Sequence, residues 1–267
     1  IQLAGKLGRI NGTFSKSGVG ELRLALADVV SLTIAGDLEV TSGVLLMQST
    51  GTSNAVTLTV AGDVRIGSGA ILQRGLGAGP WIHTVRGDWI DDGTYSPGAA
   101  GNSTVFFDAN GTAFLTRKTP SSADTETFCN VSIAAGTTVD TGDDFIALAS
   151  SPCGGFLQTG EIRRHAPSQN IDTGSDPVTF RDSRGRTAVV ITQTGGDPLG
   201  STLVTVTTNS VPLMCGDEAL AVPAAARQIQ IDPQNTAGIA TIRAYFTSDA
   251  PDESNSNTVE EPFDLAL

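Results

Sequence analysis

Between residues 31 and 93, hydrophobic and polar positions alternate in short runs that recur with nearly the same sequence. Residues 31–43 and 57–69 both contain Ala-Gly-Asp between two short apolar runs, and residues 82–93 are a looser third copy. The three Gly-Asp pairs lie about 25 residues apart, the length of a supersecondary repeat. Because one copy cannot bury its own apolar face, neighbouring copies are expected to stack in parallel. The pattern predicts a parallel β-solenoid.

The same step extends beyond the three clear copies. Glycines recur at positions 12, 36, 62, 87, 111, 136 and 160, which predicts seven coils. We expect glycine to supply a positive φ at each corner and aspartate to cap the exposed turn amides. Equivalent aliphatic residues should form ladders, with Leu32 and Ile34 over Leu58 and Val60. Residues 76–81 and 119–124 are expected to be loops inserted between coils.

After residue 155 the 25-residue step is lost and the β-runs become longer. Residues 201–208 and 239–247 are examples, and Gly, Pro, Asn and Asp separate such runs. This pattern is typical of antiparallel strands in a β-sandwich. The predicted fold is therefore all-β, with a parallel β-helix or solenoid over residues 1–155 and an antiparallel β-sandwich over residues 156–267. The sandwich carries an acidic C-terminal tail.

Composition narrows the set of partners. The chain has 28 acidic and 16 basic residues and a net charge of −12, which disfavours nucleic acid. No run approaches the roughly 20 apolar residues that a membrane-spanning helix requires. The chain starts at Ile1 without a signal-peptide pattern, and we interpret it as a mature product of export.

The three cysteines are Cys129, Cys153 and Cys215. Cys129 and Cys153 lie about one repeat apart, which places them on adjacent coils of a solenoid. A disulfide between them is one expectation, and two free thiols are the other. Cys215 would be an odd, buried thiol in the first case.

Residues 60–145 resemble secreted bacterial surface proteins built of β-solenoid repeats. The resemblance rests on Ala-Gly-Asp-Val-Arg-Ile-Gly-Ser-Gly-Ala-Ile-Leu, on Gly-Asp-Trp-Ile-Asp-Asp-Gly-Thr-Tyr-Ser-Pro-Gly, and on Ser-Thr-Val-Phe-Phe-Asp-Ala-Asn-Gly-Thr. In such proteins the repeats serve as adhesin passengers, stalks or cell-envelope layers and are often followed by β-sandwich modules. The resemblance implies a role of this kind. A shared fold does not by itself imply a shared function.

Candidate chemistry is sparse. Arg86-Gly87-Asp88 spells an integrin-binding tripeptide, but the two preceding copies read Ala-Gly-Asp, so the corner itself explains Gly-Asp. The carboxylates in Asp91-Asp92 and Asp143-Asp144 are expected to be solvated corners. No catalytic, cofactor-binding or metal-binding residue is predicted, and the acidic tail is a weak alternative site for calcium. The run Arg163-Arg164-His165 could supply a lyase's basic group, but it lies beside Glu161 near the domain junction and is expected to pair there.

The expected function is that of a non-catalytic extracellular structural protein that assembles with itself into a cell-surface filament or layer. The predicted subunit-contact residues are Ile1, Leu3, Phe263, Leu265 and Leu267, because apolar terminal segments can add a strand to a neighbour. One alternative is an adhesin or glycan-binding module that uses Trp81 in the inserted loop. The other is a β-helix polysaccharide lyase or hydrolase that uses carboxylates such as Asp91 and Asp143.

Overall fold

The computed structural model describes residues 8–25, 30–48, 55–75, 79–98, 103–117, 124–209, 214–215, 222–223, 227–247 and 258–266. Within these ranges the protein is all-β and contains no helix. The chain forms two compact units. The first comprises Ile1–Asp140 and Ile146–Gly160, and the second comprises Thr141–Phe145 and Glu161–Leu267.

Short strands separated by tight corners build the solenoid. They are β1 (Arg9–Ile10), β2 (Phe14–Lys16), β3 (Glu21–Ala25), β4 (Val30–Ile34), β5 (Leu38–Val40), β6 (Gly43–Gln48), β7 (Val56–Val60), β8 (Val64–Ile66), β9 (Ala70–Gly75), β10 (Trp81–Val85), β11 (Trp89–Asp91), β12 (Thr94–Ser96), β13 (Ser103–Phe107), β14 (Thr112–Arg117), β15 (Thr125–Phe128), β16 (Asn130–Ile133), β17 (Thr138–Asp140), β18 (Phe145–Leu148) and β19 (Phe156–Gln158).

Equivalent strands of successive coils pair in parallel and form the faces of the solenoid. One face is β1-β4-β7-β10-β13-β16-β19, a second runs β2-β5-β8-β11-β14-β17, a third runs β3-β6-β9-β12, and β15 pairs with β18. Leu32 is in register with Leu58, and Ile34 with Val60, as the repeat predicts. The solenoid makes about five turns. Its first face stacks seven strands, and each of the seven glycines spaced at about 25 residues follows one of them.

Side chains alternate between the interior and the surface along each strand. In β7, Val56, Leu58 and Val60 are buried while the two threonines between them are partly exposed. Stacked coils repeat this alternation in register, so aliphatic side chains fill the interior of the solenoid. Each such side chain contributes about 1.5–3 kcal/mol when it leaves water.

The second unit contains longer, antiparallel strands. They are β20 (Glu161–Ile171), β21 (Val178–Arg181), β22 (Thr187–Gly196), β23 (Gly200–Asn209), β24 (Met214–Cys215), β25 (Val222–Pro223), β26 (Arg227–Pro233), β27 (Gly238–Thr247) and β28 (Thr258–Ala266). Antiparallel pairing gives the orders β20-β23-β26, β21-β22-β27-β28 and β24-β25. One buried cluster takes Val204 and Val206 from the first order and Val189, Ile191 and Ile242 from the second.

Candidate functional site

The first coil of the solenoid presents strand edges that no described strand covers. β1, β2 and β3, which we call the first-coil edge, stand at the ends of their sheets. Thr33 N donates to Gly8 O and Ala35 N donates to Ile10 O. Because alternate residues of a parallel strand bond to the same neighbour, the N–H and C=O of Arg9 point the other way.

The same alternation holds in β2. Phe14 N donates to Asp37 O at 2.8 Å, and Thr41 N donates to Lys16 O at 2.9 Å. Phe14 and Lys16 therefore bond to the second coil, and the backbone groups of Ser15 point away from it. A row of outward amides and carbonyls of this kind is a template for pairing with another strand.

A column of corners, which we call the Gly-Asp column, runs along the solenoid beside the second face. It consists of Gly12-Thr13, Gly36-Asp37, Gly62-Asp63 and Gly87-Asp88. Asp37 Oδ1 accepts a hydrogen bond from Asp63 N at 2.8 Å, and Asp63 Oδ1 accepts one from Asp88 N at 2.8 Å. Asp88 Oδ1 accepts one from Phe114 N at 2.9 Å. Each carboxylate thus caps an amide of the next coil.

Gly36, Gly62 and Gly87 are required for space rather than for a positive φ, which corrects the expectation from sequence. Gly36, Gly62 and Gly87 are not among the positive-φ residues, whereas Gly43 and Gly69 at the next corner have φ of 69° and 74°. A Cβ on Gly62 would overlap Asp37 Oδ1, and one on Gly87 would overlap Asp63 Oδ1.

Arg86-Gly87-Asp88 belongs to this column. Asp88 has the same backbone-capping role as Asp37 and Asp63. Arg86 is exposed, and its Nε donates to Asp108 Oδ2 at 3.2 Å. The tripeptide is explained by the corner geometry, since its carboxylate is already committed to Phe114 N.

Trp81 does not lie in an exposed loop, so the predicted glycan contact at this residue is wrong. Trp81 is the first residue of β10, in register with Val56 and Ser103, and its side chain is fully buried. Its ring stacks on that of His83 at 5.5 Å between centroids. A buried ring cannot stack on a sugar from solution.

An aromatic cluster fills the interior around Trp89. Its ring lies 5.5 Å from His83, 4.9 Å from Tyr95, 6.5 Å from Phe107 and 5.3 Å from Phe128, centroid to centroid. Burial lowers the pKa of His83 to about 3, so the imidazole is neutral at physiological pH. Neither ring nitrogen of His83 has a hydrogen-bond partner among the described residues.

Asp91 and Glu126 lie inside the solenoid, although Asp91 was expected to be a solvated corner. Asp91 is fully buried because it alternates with Trp89 in β11, and its Oδ1 accepts from Gly93 N at 2.7 Å. Glu126 is also buried and accepts from Trp89 Nε1 at 3.3 Å. Burial, then the nearby Asp91 carboxylate, raises the pKa of Glu126 well above its usual value, against the opposing charge of Arg117.

Glu126 carries no motif, and the sequence analysis did not single it out. The sequence indicates that Glu126 is buried only through the alternation of β15, which places Glu126 on the same side of the strand as the buried Phe128. A polysaccharide in solution cannot reach Asp91, so this residue does not provide the surface carboxylate that the hydrolase alternative requires.

In the second unit, Arg164 of the run Arg163-Arg164-His165 is buried and donates to backbone carbonyl groups. Its Nη2 donates to Asp143 O at 2.8 Å and its Nη1 to Arg181 O at 2.9 Å. The guanidinium carbon lies 4.0 Å from the centroid of the Phe145 ring. Arg164 therefore satisfies backbone carbonyls, while Asp143 itself is exposed.

A second buried cation of the same unit, Arg227, binds the carboxylate of Asp182 in the turn at residues 182–186. Arg227 Nη2 donates to Asp182 Oδ2, and Arg186 Nη2 lies 2.8 Å from the same oxygen. Asp182 Oδ1 accepts from the backbone N–H groups of Arg184 and Arg186 at 3.0 Å. The carboxylate is surrounded by its own partners and is available for no other ligand.

Cys129 and Cys153 form a disulfide with a Cα–Cα distance of 4.7 Å. It joins residues that are 24 apart in sequence and lies within the first unit. Cys215 ends β24, and its side chain lies outside the described part of the structure.

Two of the predicted subunit-contact residues lie on an edge strand of the second unit. Phe263 pairs with Ile242 and Leu265 with Ala240, both through the β28–β27 ladder. β28 ends its sheet, so its other side is covered by no described strand. The remaining three, Ile1, Leu3 and Leu267, lie outside the described residues.

The described residues contain no group of three or more His, Cys, Asp or Glu side chains placed to hold a metal ion. Residues 248–257, which include part of the acidic tail considered for calcium, lie outside the described ranges. In the part of the chain that the structure describes, no helix is long and apolar enough to cross a membrane.

Comparison of the chain with protein-family models, with characterised proteins and with solved structures found no match.

Proposed function

We propose that this chain is a non-catalytic structural protein that assembles with itself through strand edges into a filament or layer at the cell surface. The observation that carries the proposal is the first-coil edge, where the backbone groups of Arg9 and Ser15 point away from the rest of the solenoid. A sheet edge left open in this way favours strand addition.

The geometry of the repeat favours open assembly over a closed dimer. The first-coil edge and β28 are different surfaces, so a contact between them is heterologous. A heterologous contact that does not close into a ring produces a fibre or a layer. Such an assembly needs no cofactor, because backbone hydrogen bonds supply the contacts.

The disulfide supports an extracellular location, since structural disulfides persist in oxidising compartments. The core that β23 shares with β22 and β27 supports a β-sandwich in the second unit. Together these features agree with the resemblance to secreted bacterial surface proteins. The adhesin alternative loses Trp81 and the hydrolase alternative loses Asp91, because both side chains are buried, while Asp143 is exposed.

The test uses a substitution that alters only the outward side of β2. Ser15→Pro removes an N–H that points away from β5, and proline is tolerated on edge strands. Ser15→Ala keeps this amide and serves as the matched control. Circular dichroism establishes that both variants remain folded.

Mass photometry and negative-stain microscopy over rising protein concentration then measure assembly. We expect the parent chain and Ser15→Ala to form extended assemblies and Ser15→Pro to form fewer and shorter ones. A parent chain that stays monomeric at every concentration would refute the proposed function. Equal assembly by Ser15→Pro would refute the role of the first-coil edge.

A further inference from the structure

We propose that the Gly12-Thr13 corner is a carboxylate-accepting site, and that an acidic residue of β28 from a second copy of this chain fills it. This inference rests on the proposed self-association and names the surfaces that meet. Gly12-Thr13 is the first position of the Gly-Asp column, and every later position of that column is filled by the coil before it.

The space above each later glycine is occupied. A Cβ on Gly62 or Gly87 would overlap the carboxylate of Asp37 or Asp63, and a Cβ on Gly36 would come within 2.7 Å of Thr13 N. Gly12 has the same place in the column, but no atom of the described residues lies within 4 Å of its Cβ position. The volume that a carboxylate fills at Gly62 and Gly87 thus holds no described atom at Gly12.

The hydrogen-bond donors of the corner point into this free volume. Along the column, Gly36 N donates to Gly12 O at 3.2 Å and Gly62 N donates to Gly36 O at 3.1 Å. Asp63 N donates to the carboxylate of Asp37. By the same alternation the N–H groups of Gly12 and Thr13 point to the side where a preceding coil would stand. No described residue accepts from either amide.

A carboxylate is the group that matches this site, because carboxylates occupy the equivalent space over Gly62 and Gly87, while Thr13 occupies it over Gly36. Residues 1–7 contain no Asp or Glu, so the segment just before the site cannot supply one. β28 can, since residues 258–266 carry Glu260, Glu261 and Asp264 on an edge strand.

The charges of the two surfaces are complementary. Residues 8–25 carry three basic residues and one acidic residue in a chain whose net charge is −12. Arg9 is exposed on the first-coil edge and Arg23 lies on β3 beside Glu21, whereas Lys16 is buried and donates to backbone carbonyl groups. The acidic strand β28 of a second copy is therefore attracted to the basic first coil, and the open backbone of both strands allows hydrogen bonding between them.

The decisive variant is Gly12→Ala. The added Cβ meets no atom of the described residues within 4 Å, and Gly12 does not have a positive φ, so folding should be unaffected. The Cβ nevertheless fills the space that the incoming carboxylate needs. Gly111→Ala is the matched control, because this corner glycine also has no neighbour within 4 Å and no positive φ.

Sedimentation velocity measures the association constant for each variant. We expect Gly12→Ala to weaken association about tenfold or more, since hydrogen bonds to a charged acceptor are lost, and Gly111→Ala to leave it unchanged. The triple change Glu260→Gln, Glu261→Gln and Asp264→Asn should weaken association to a similar extent. Its control neutralises three exposed acids elsewhere, Asp172→Asn, Asp197→Asn and Asp232→Asn.

A mixing experiment tests whether these two surfaces meet each other. Gly12→Ala retains an intact β28, and the triple β28 variant retains an intact corner. In the mixture, β28 of Gly12→Ala should bind the intact corner of the triple variant. No further intact pair of surfaces is then left, so the product should be a heterodimer, while each variant alone should stay monomeric at the same concentration. Association of Gly12→Ala at the parent level would overturn the corner site and leave self-association standing. Failure of the mixture to pair would overturn the partnership with β28, and a parent chain that never associates would overturn both proposals.

Discussion

Substituting a corner glycine with alanine should have opposite consequences in different coils. At Gly62 the new Cβ would overlap Asp37 Oδ1, which now accepts from Asp63 N at 2.8 Å. The carboxylate has to move, and Asp63 N then loses its partner. The Gly36 backbone carbon, 3.0 Å from the Cβ position, limits any escape of the backbone. At Gly12 the same substitution meets nothing.

The expected cost follows from the groups displaced. A hydrogen bond to a charged acceptor contributes about 1.5–3 kcal/mol, and crowding against the backbone adds to it. Gly62→Ala should therefore lower the free energy of unfolding by about 2–4 kcal/mol. Gly12→Ala and Gly111→Ala should change it by less than about 1 kcal/mol, with a stabilising sign from the reduced freedom of the unfolded chain.

Urea denaturation followed by tryptophan fluorescence measures this difference. Trp81 and Trp89 are the two tryptophans of the chain, and both lie in the solenoid, so the signal reports the first unit. An Asp37→Ala background removes the oxygen that Gly62→Ala displaces, so the cost of Gly62→Ala should fall by about 1–2 kcal/mol there. If Gly62→Ala and Gly12→Ala differed by less than about 0.5 kcal/mol, the Gly-Asp column would have no role in stability.

Four further outcomes are expected, each measured by urea denaturation. Glu126→Gln should raise the free energy of unfolding at neutral pH. Because the pKa of Glu126 is raised in the folded state, the parent protein loses stability as the pH rises above the ordinary carboxyl range. A variant whose free energy of unfolding depended on pH as steeply as the parent's would contradict this. His83 has the opposite pH dependence, since its pKa falls from 6.5 to about 3 on folding. The unfolded chain therefore gains a proton that the folded chain does not, and the free energy of unfolding decreases as the pH falls below 6.5. His83→Phe should make this decrease smaller. Replacing Cys129 and Cys153 by serine should cost about 3 kcal/mol by loop entropy, and a negligible change would show that the unfolded chain is not constrained by the bond. Trp81→Ala should cost about 3–5 kcal/mol as a core truncation, and loss of glycan binding without loss of stability would restore the adhesin interpretation.

The stacking of coils could be predicted because the Ala-Gly-Asp corner and the apolar positions on both sides of it repeat. Two copies of Ala-Gly-Asp with equal flanks fix which residues are equivalent, and the ladders Leu32 over Leu58 and Ile34 over Val60 follow. Long alternating runs between turn residues predict antiparallel strands from residue 156, and the antiparallel strands of the second unit begin at Glu161, because Phe156–Gln158 still pairs in parallel with β16. In both cases local alternation and the buried face agree.

The interior polar residues could not be predicted in the same way. Asp91 is two residues after the buried Trp89 and so shares its side of the strand, but a sequence near glycines favours an exposed corner for any aspartate. Trp89 and Glu126 are 37 residues apart in sequence, and only the path of the coils brings them together. Trp81 was misplaced because the strand it begins was taken for a loop.

The sequence by itself determined that this chain is a stack of short strands and corners, and which residues stand above one another. Periodicity suffices for this, because parallel coils repeat their burial with their sequence. Only the folded chain shows what each corner glycine faces, which aromatic and acidic side chains meet inside, and that no described residue fills the space over Gly12. These contacts depend on the coil that lies before or after a residue, and the local sequence does not show which residues of that coil are its neighbours.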